Sequence, residues 1–208
     1  MSLRDRTRLL QRNVQLRDAR LFVVATEGAE TEPRYFEALQ THGLVPRSRI
    51  KLHLLPTTDG RSAPQHLIER VETFLSQYRL LSDDAVWLVL DTDLKSGNRC
   101  AQLSELTTLC RQKGWQVAIS HPCFELWLLL HVCDAPAGLS DCASVQSALR
   151  NELGAYQKAT TPALCCEPSA LEDAVKRARS LDPASAEWPA SLGTGVYRLL
   201  EALRASMP

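Results

Sequence analysis

Acidic side chains follow two apolar segments whose composition predicts buried β-strands. Glu27 follows the run at residues 21–25, and Asp91 and Asp93 follow the run at residues 86–90. Residues two apart along an extended chain point to the same side, so both aspartates can face one ion. Carboxylate oxygens are ligands that Mg²⁺ and Mn²⁺ prefer, and a bound cation relieves the repulsion between clustered carboxylates. The spacing therefore predicts a divalent-metal site, with Glu27 as a further ligand or as a general acid or base.

A purely structural role for these carboxylates stays open. Aspartate at the carboxyl end of a strand is common as a helix cap or turn residue, so an Asp-x-Asp pair alone is a weak indicator of a metal site. The combination with an acidic residue after an earlier strand is more informative, because functional groups gather beyond the carboxyl ends of strands in open α/β sheets. Glu30 and Glu32 are expected to be helix-start carboxylates favoured by the helix dipole.

Four further side chains are candidates for the same chemistry. Glu125 lies in an apolar segment, where a carboxylate should be either functional or paired, and a buried pair with an arginine is the alternative. His121 can bind a phosphate or assist proton transfer, with a structural role as its alternative. Lys158 and Arg198 can supply positive charge to a scissile phosphate, and solvated surface cations are the alternative for both.

The elements that must position these residues are predicted from hydrophobic periodicity. Strand and helix patterns alternate four times with short connections, which predicts a mainly parallel sheet flanked by helices, an α/β fold. The predicted strands are residues 21–25, 50–55, 86–90 and 115–119, and the predicted helices are residues 31–43, 64–78, 102–113, 124–131, 144–153, 170–178 and 196–205. No strand is predicted after Cys133. We expect a polar arm at residues 1–18, an α/β core at 19–132 and a helical extension packed on it at 133–208.

Composition narrows the class of protein. The chain has 208 residues, of which 45% are hydrophobic and 23% charged, so wholesale disorder is excluded and one main domain is expected. Lys+Arg and Asp+Glu both number 24, which excludes a globally basic nucleic-acid coat but not a local basic patch. No apolar run is long enough to span a bilayer, and the charged start lacks the apolar stretch of a secretory signal. Seven cysteines without a Cys-x-x-Cys pair predict reduced structural thiols rather than zinc, and we expect a cytoplasmic protein.

Several segments resemble the signatures of a known family. The stretch VATEGAETEPRYF at residues 24–36 is similar to the opening motif of the RloB-like family, and SHPCFELWLL at residues 120–129 is similar to its second signature. TGVYRLL at residues 194–200 resembles the closing segment, and YQK at residues 156–158 resembles the tyrosine–lysine element. Together these likenesses cover nearly the whole chain from about residue 20.

The resemblance implies a fold, an activity and a biological setting. RloB-like proteins are regarded as Toprim-type proteins with a Rossmann-like α/β core, and they occur in bacterial anti-phage and abortive-infection loci, often beside an ATPase. By position, Glu27 matches the Toprim glutamate, and Asp91 and Asp93 match the Toprim Asp-x-Asp pair. The resemblance thus implies a Mg²⁺-dependent nuclease that acts on RNA or DNA.

Some positions depart from the family pattern, and other functions remain open. His121 stands where asparagine is usual, residues 94–95 (Leu-Lys) are less acidic than is common, and the closing segment lacks a frequent proline. A non-catalytic sensor or regulatory subunit of an ATPase-containing complex is the main alternative. Phosphatase or nucleotidyl transferase chemistry on a similar acidic site is a third. The oligomeric state stays open, with a homo-oligomer among the options.

Overall fold

The computed structural model describes residues 19–57, 63–92, 99–158, 167–182 and 188–206. These residues form a five-stranded sheet in the order β2-β1-β3-β4-β5. The strands are β1 Arg20–Thr26, β2 Ile50–Leu55, β3 Ala85–Asp91, β4 Gln116–His121 and β5 Gly193–Thr194. β1 is parallel to both β2 and β3, β3 is parallel to β4, and β5 is antiparallel to β4. The predicted α/β fold is confirmed, and the arrangement is consistent with a Rossmann-like, Toprim-like core.

Helices connect and cover the strands of this sheet. They are α1 Thr31–Thr41, α2 Pro64–Leu75, α3 Arg99–Gln112, α4 Glu125–Leu129, α5 Cys142–Leu153, α6 Pro168–Ser180 and α7 Val196–Ala205. Most bounds agree with the hydrophobic pattern to within three residues. Asp91 is the last residue of β3 rather than the first residue after it, because the strand continues one residue beyond the apolar run.

The absence of a strand after Cys133 was a wrong expectation. Gly193 and Thr194 form β5, in which Thr194 pairs with Ser120 and Gly193 pairs with His121. The two side chains Ser120 and Thr194 are also hydrogen-bonded through their hydroxyl groups at 2.9 Å. A two-residue strand has no periodicity of its own, so only its partner in the folded sheet reveals it.

Both faces of the sheet are covered at its centre, which explains why β1 and β3 are continuous apolar runs. Leu21, Val23 and Ala25 face one side, where residues of α2 and α3 cover them. Phe22 and Val24 face the other side, in one cluster with residues of α1 and α4–α7. The helices that follow Cys133 therefore pack on a single face, in the same core as the strands.

Two findings bear on the expected environment of the protein. Within the described ranges, no helix is both long and apolar enough to cross a membrane. None of the five described cysteines forms a disulfide; Cys110 and Cys123 are buried, whereas Cys100 is exposed rather than in apolar surroundings. The predicted arm at residues 1–18 lies outside the described residues.

Candidate active site

A cleft opens at the carboxyl ends of β1 and β3, where the strand order reverses. The chain leaves β1 for β2 on one side and returns to β3 on the other, and ligands of open α/β sheets bind at such a switch point. The cleft has a volume of about 210 Å³. We call it the acidic cleft, and the residues that line it are Glu27, Gly28, Thr31, Glu32, Asp91, Phe124, Glu125 and Lys158. Four carboxylates from four different segments thus meet at one edge of the sheet.

Glu27 is held in place by Arg99 and by the backbone of β3. Its N–H donates to the carbonyl of Val89 at 3.0 Å, which continues the pairing of β1 with β3. Its Oε2 accepts from the N–H of Asp91 at 3.2 Å and from Nη2 of Arg99. Arg99 also donates through Nη2 to the carbonyl oxygen of Asp91 at 2.6 Å, so one guanidinium joins the ends of both strands. Arg99 is the first residue of α3 and is buried, and the sequence patterns did not single it out.

Asp91 is the least satisfied carboxylate of the cleft. Its Oδ1 is buried and accepts no hydrogen bond from the described residues. Burial raises the pKa of the Asp91 carboxyl well above its usual range, and the negative charges of the neighbouring glutamates raise it further. A backbone hydrogen bond from Phe124 lowers this pKa without reversing the shift. A buried carboxylate in this setting favours either a proton or a cation beside it.

Glu32 belongs to the cleft, although we expected it to be a simple helix-start carboxylate. It lies in the first turn of α1 and is only 6% exposed. Its Oε1 accepts from the N–H of Gly28 at 2.9 Å, and burial raises the pKa of its carboxyl. A Cβ at position 28 would lie 2.1 Å from Oε2 of Glu32, so only glycine leaves room for this contact. The sequence feature that indicates this contact is the separation of Gly28 and Glu32 by four residues across the turn between β1 and α1.

Glu125 is the first residue of α4 and is 5% exposed, so its predicted burial is correct. Its hydrogen-bond partners among the described residues are neutral side chains rather than the arginine considered as an alternative. Oε1 accepts from Nε2 of Gln146 at 2.9 Å and from the hydroxyl of Tyr156 at 3.3 Å. Gln146 lies on α5, so this helix helps to orient the carboxylate.

The family profile for RloB-like proteins matches the chain over residues 22–203. The chain belongs to the RloB-like family. Comparisons with curated proteins and with solved structures gave no match. The matched range begins within β1 and ends within α7, and it contains every carboxylate of the acidic cleft.

The structure separates two candidate residues of this RloB-like protein from the acidic cleft. His121 ends β4, and its Nδ1 is hydrogen-bonded to the hydroxyl of Thr92 at 2.7 Å, while burial lowers its pKa. Arg198 lies on α7, forms an ion pair with Asp182 and lines a different cavity. Neither is among the residues that line the cleft. Lys158 does line it, and Asp93 lies outside the described residues.

The donor chemistry of the cleft fits a hard divalent cation. Carboxylate oxygens suit Mg²⁺, and Oδ1 of Asp91 is a buried acceptor that no residue in the described part of the chain satisfies. Across the described ranges, however, no group of three or more His, Cys, Asp and Glu side chains is arranged to hold a metal ion. Because Mg²⁺ is commonly bound through one or two carboxylates and keeps several waters, a partial set of ligands is compatible with it. Asp91 and Glu27 are the residues that would hold such an ion.

Proposed function

We propose that this RloB-like protein is a Mg²⁺-dependent nuclease that hydrolyses phosphodiester bonds of RNA or DNA. The observation that carries the proposal is Asp91, whose buried carboxylate has no partner at Oδ1 among the described residues and lies among three glutamates at the switch point of the sheet. Such a site favours a divalent cation, and a divalent cation in turn attracts phosphate.

Each residue of the acidic cleft has a distinct role in this proposal. Asp91 and Glu27 hold the ion, with Asp93 as a further ligand predicted from the sequence. The ion, when bound, supplies an activated water and neutralises charge that develops on the phosphate. Glu125, oriented by Gln146, acts as a general base or acid on the attacking water. Lys158 offers an exposed ammonium group that attracts the phosphate into the cleft.

Arg99 is a positioning residue in this arrangement. Its guanidinium connects the Glu27 carboxylate to the carbonyl oxygen of Asp91, so the two chain segments that carry the ligands keep a constant separation. A buried arginine beside one carboxylate also offsets part of the negative charge of the cleft.

The proposed biological setting is anti-phage defence, with a nucleic acid as substrate and an ATPase of the same locus as partner. It is supported by membership in the RloB-like family, together with the resemblance of the motifs at residues 24–36 and 120–129 to those of defence proteins. The predicted cytoplasmic location agrees with a nucleic-acid substrate.

A cleavage assay with matched variants tests the proposed activity. Wild-type protein should cut RNA or DNA in the presence of Mg²⁺ or Mn²⁺, and EDTA should abolish the cleavage. Asp91→Asn should reduce the rate by about a hundredfold or more, because it removes a ligand of the ion. Glu105→Gln makes the same chemical change at an exposed position on α3 and should cut as wild type does. Cleavage by Asp91→Asn at the wild-type rate would exclude the acidic cleft from the reaction.

A non-catalytic sensor or regulatory subunit is the second candidate function. The observation that favours it is the engagement of Glu27 by Arg99, which already provides a positive charge at the cleft. Calorimetric titration with Mg²⁺ separates the two functions. A nuclease binds the ion in a manner that Asp91→Asn abolishes, whereas a sensor of this kind shows neither Mg²⁺ binding nor cleavage of any nucleic acid.

A further inference from the structure

A second cavity lies at the opposite end of β3 and β4 and is lined by two arginines. We call it the basic cavity; its volume is about 200 Å³. The residues that line it are Trp87, Thr107, Cys110, Arg111, Gly114, Trp115, Gln116, Val117 and Arg198. Two arginines are present in this described set and no acidic side chain is. An enclosure with this lining attracts anions.

Trp87, which lines the basic cavity, carries a hydrogen-bond donor that no described residue satisfies. The residue is 6% exposed, and its Nε1 is buried without a partner among the described residues. The indole N–H can only donate, and no described residue accepts from it. A buried donor without a partner costs free energy, which an acceptor that reaches it would recover.

Arg198 presents a guanidinium that is already oriented before a ligand arrives. Its Nε donates to the hydroxyl of Tyr197 at 3.2 Å, and its Nη2 donates to Asp182, whose side chain is buried. Arg111 approaches the same cavity from the last turn of α3, on the other face of the sheet. Planar guanidinium groups recognise the oxygens of a phosphate through paired hydrogen bonds.

We propose that the basic cavity binds the phosphate group of a small ligand, such as inorganic phosphate or a nucleoside monophosphate. The volume is below the roughly 300–1,000 Å³ of pockets that enclose drug-sized molecules, which favours a phosphate with a small attached group. The site is separate from the acidic cleft, since Trp87 precedes Asp91 by four residues on β3, about 13 Å along an extended strand. This inference is independent of the proposed nuclease activity.

Calorimetric titration in the absence of Mg²⁺ tests the proposal. The titrants are inorganic phosphate, adenosine monophosphate, adenosine and a short oligodeoxynucleotide without terminal phosphates. Binding of the first two, with adenosine at least about tenfold weaker than its monophosphate, is the expected result. Preference for the oligodeoxynucleotide would assign the phosphate to a nucleic-acid backbone, and preference for the monophosphate would assign it to a free nucleotide. Absence of binding by all phosphate-bearing titrants would overturn the proposal.

Two cavity variants and two control variants locate the binding on the chain. Arg111→Gln should weaken binding of the monophosphate by about tenfold or more, and Trp87→Phe should weaken it by several fold because it removes only the N–H donor. Arg150→Gln, an exposed arginine in the last turn of α5, is the matched control and should bind as wild type does. Asp91→Asn should also retain binding. Wild-type affinity in both cavity variants, or loss of binding in Asp91→Asn, would place the ligand elsewhere.

Discussion

At the scale of single residues, Asp91 links the stability of the protein to the chemistry of its cleft. Burial and the neighbouring glutamates raise the pKa of this carboxyl far above its usual range. The folded state therefore holds the Asp91 proton more tightly than the unfolded chain does, whose carboxyl titrates near about 3.9. The contribution of the protonated Asp91 carboxyl to the free energy of unfolding is complete below the pKa of the unfolded chain. It is lost as the pH rises through the raised pKa of the folded state.

Replacing Asp91 by asparagine should stabilise the metal-free protein at neutral and alkaline pH. The amide has a similar shape but carries no charge, so the cost of a buried carboxylate disappears, and a gain of roughly 1–2 kcal/mol in unfolding free energy is expected. Urea unfolding of wild type, Asp91→Asn and the exposed control Glu105→Gln between pH 4 and 8 measures it. A variant whose stability parallels wild type at every pH would contradict the raised pKa.

At the scale of elements, the turn between β1 and α1 depends on a glycine. The carbonyl of Gly28 accepts from the hydroxyl of Thr26 at 2.8 Å, and its N–H donates to the Glu32 carboxylate. The turn and the first turn of the helix are thereby joined through one buried side chain. Through this contact, the Glu32 carboxylate lies in the acidic cleft, although the residue is in the first turn of α1.

Substituting Gly28 by alanine should displace the Glu32 carboxylate. The new Cβ would lie 2.1 Å from Oε2, so the side chain must move and its hydrogen bond to the turn is lost. We expect a loss of about 1–3 kcal/mol in unfolding free energy. The same substitution in a Glu32→Ala background should cost at least about 1 kcal/mol less, because the clash is absent. Equal costs in both backgrounds, measured by chemical denaturation, would contradict the close approach.

At the scale of the whole molecule, a buried histidine connects two helices on the same face of the sheet, α1 and α4. His131 follows α4 and is 5% exposed. Its Nδ1 is hydrogen-bonded to the carbonyl of Trp127 at 2.9 Å, and its Nε2 lies 3.3 Å from the hydroxyl of Tyr35 on α1. Nδ1 donates to the carbonyl oxygen, whereas the Tyr35 hydroxyl can either donate to Nε2 or accept from it. Burial, assisted by the charge of Arg177, lowers the pKa of His131 to about 4.

Acidification should therefore weaken the fold through His131. The unfolded ring titrates near about 6.5, so the folded state binds fewer protons than the unfolded chain as the pH falls from there toward 4. The stabilising contribution is present above about 6.5 and amounts to about 3 kcal/mol, which is lost by about pH 4.

Asp91 and Glu32 have raised pKa values, so their effect on stability as the pH falls is opposite to that of His131. This effect is the same in wild type and in His131→Gln, so the difference between the two proteins isolates the contribution of His131. Thermal unfolding at pH 4.5 and 7.5 should show a smaller acid-induced loss for His131→Gln. His42→Gln changes an exposed histidine at the end of α1 and serves as control. An identical pH dependence in wild type and His131→Gln would contradict a neutral buried ring.

The strands illustrate what could be predicted locally. β1 and β3 are continuous apolar runs, and β2 alternates, so these strands and β4 were recognisable from the local sequence pattern. β5 was not, because its two residues pair with β4 only after α6 and the segment before α7 fold back on the sheet. The same dependence on packing explains why Glu32 was assigned a helix-start role only.

The sequence by itself determined that Glu27 and Asp91 stand at the carboxyl ends of two strands and that Glu125 is buried, because element type and apolar context are local properties of the chain. Only the tertiary structure decided which strands are neighbours, and hence that these carboxylates share one cleft. It also decided that Arg99 forms an ion pair with Glu27, and that Arg198 forms one with Asp182 beside a separate cavity. Ion pairs between residues 72 and 16 positions apart depend on strand order and helix packing, which no local pattern encodes.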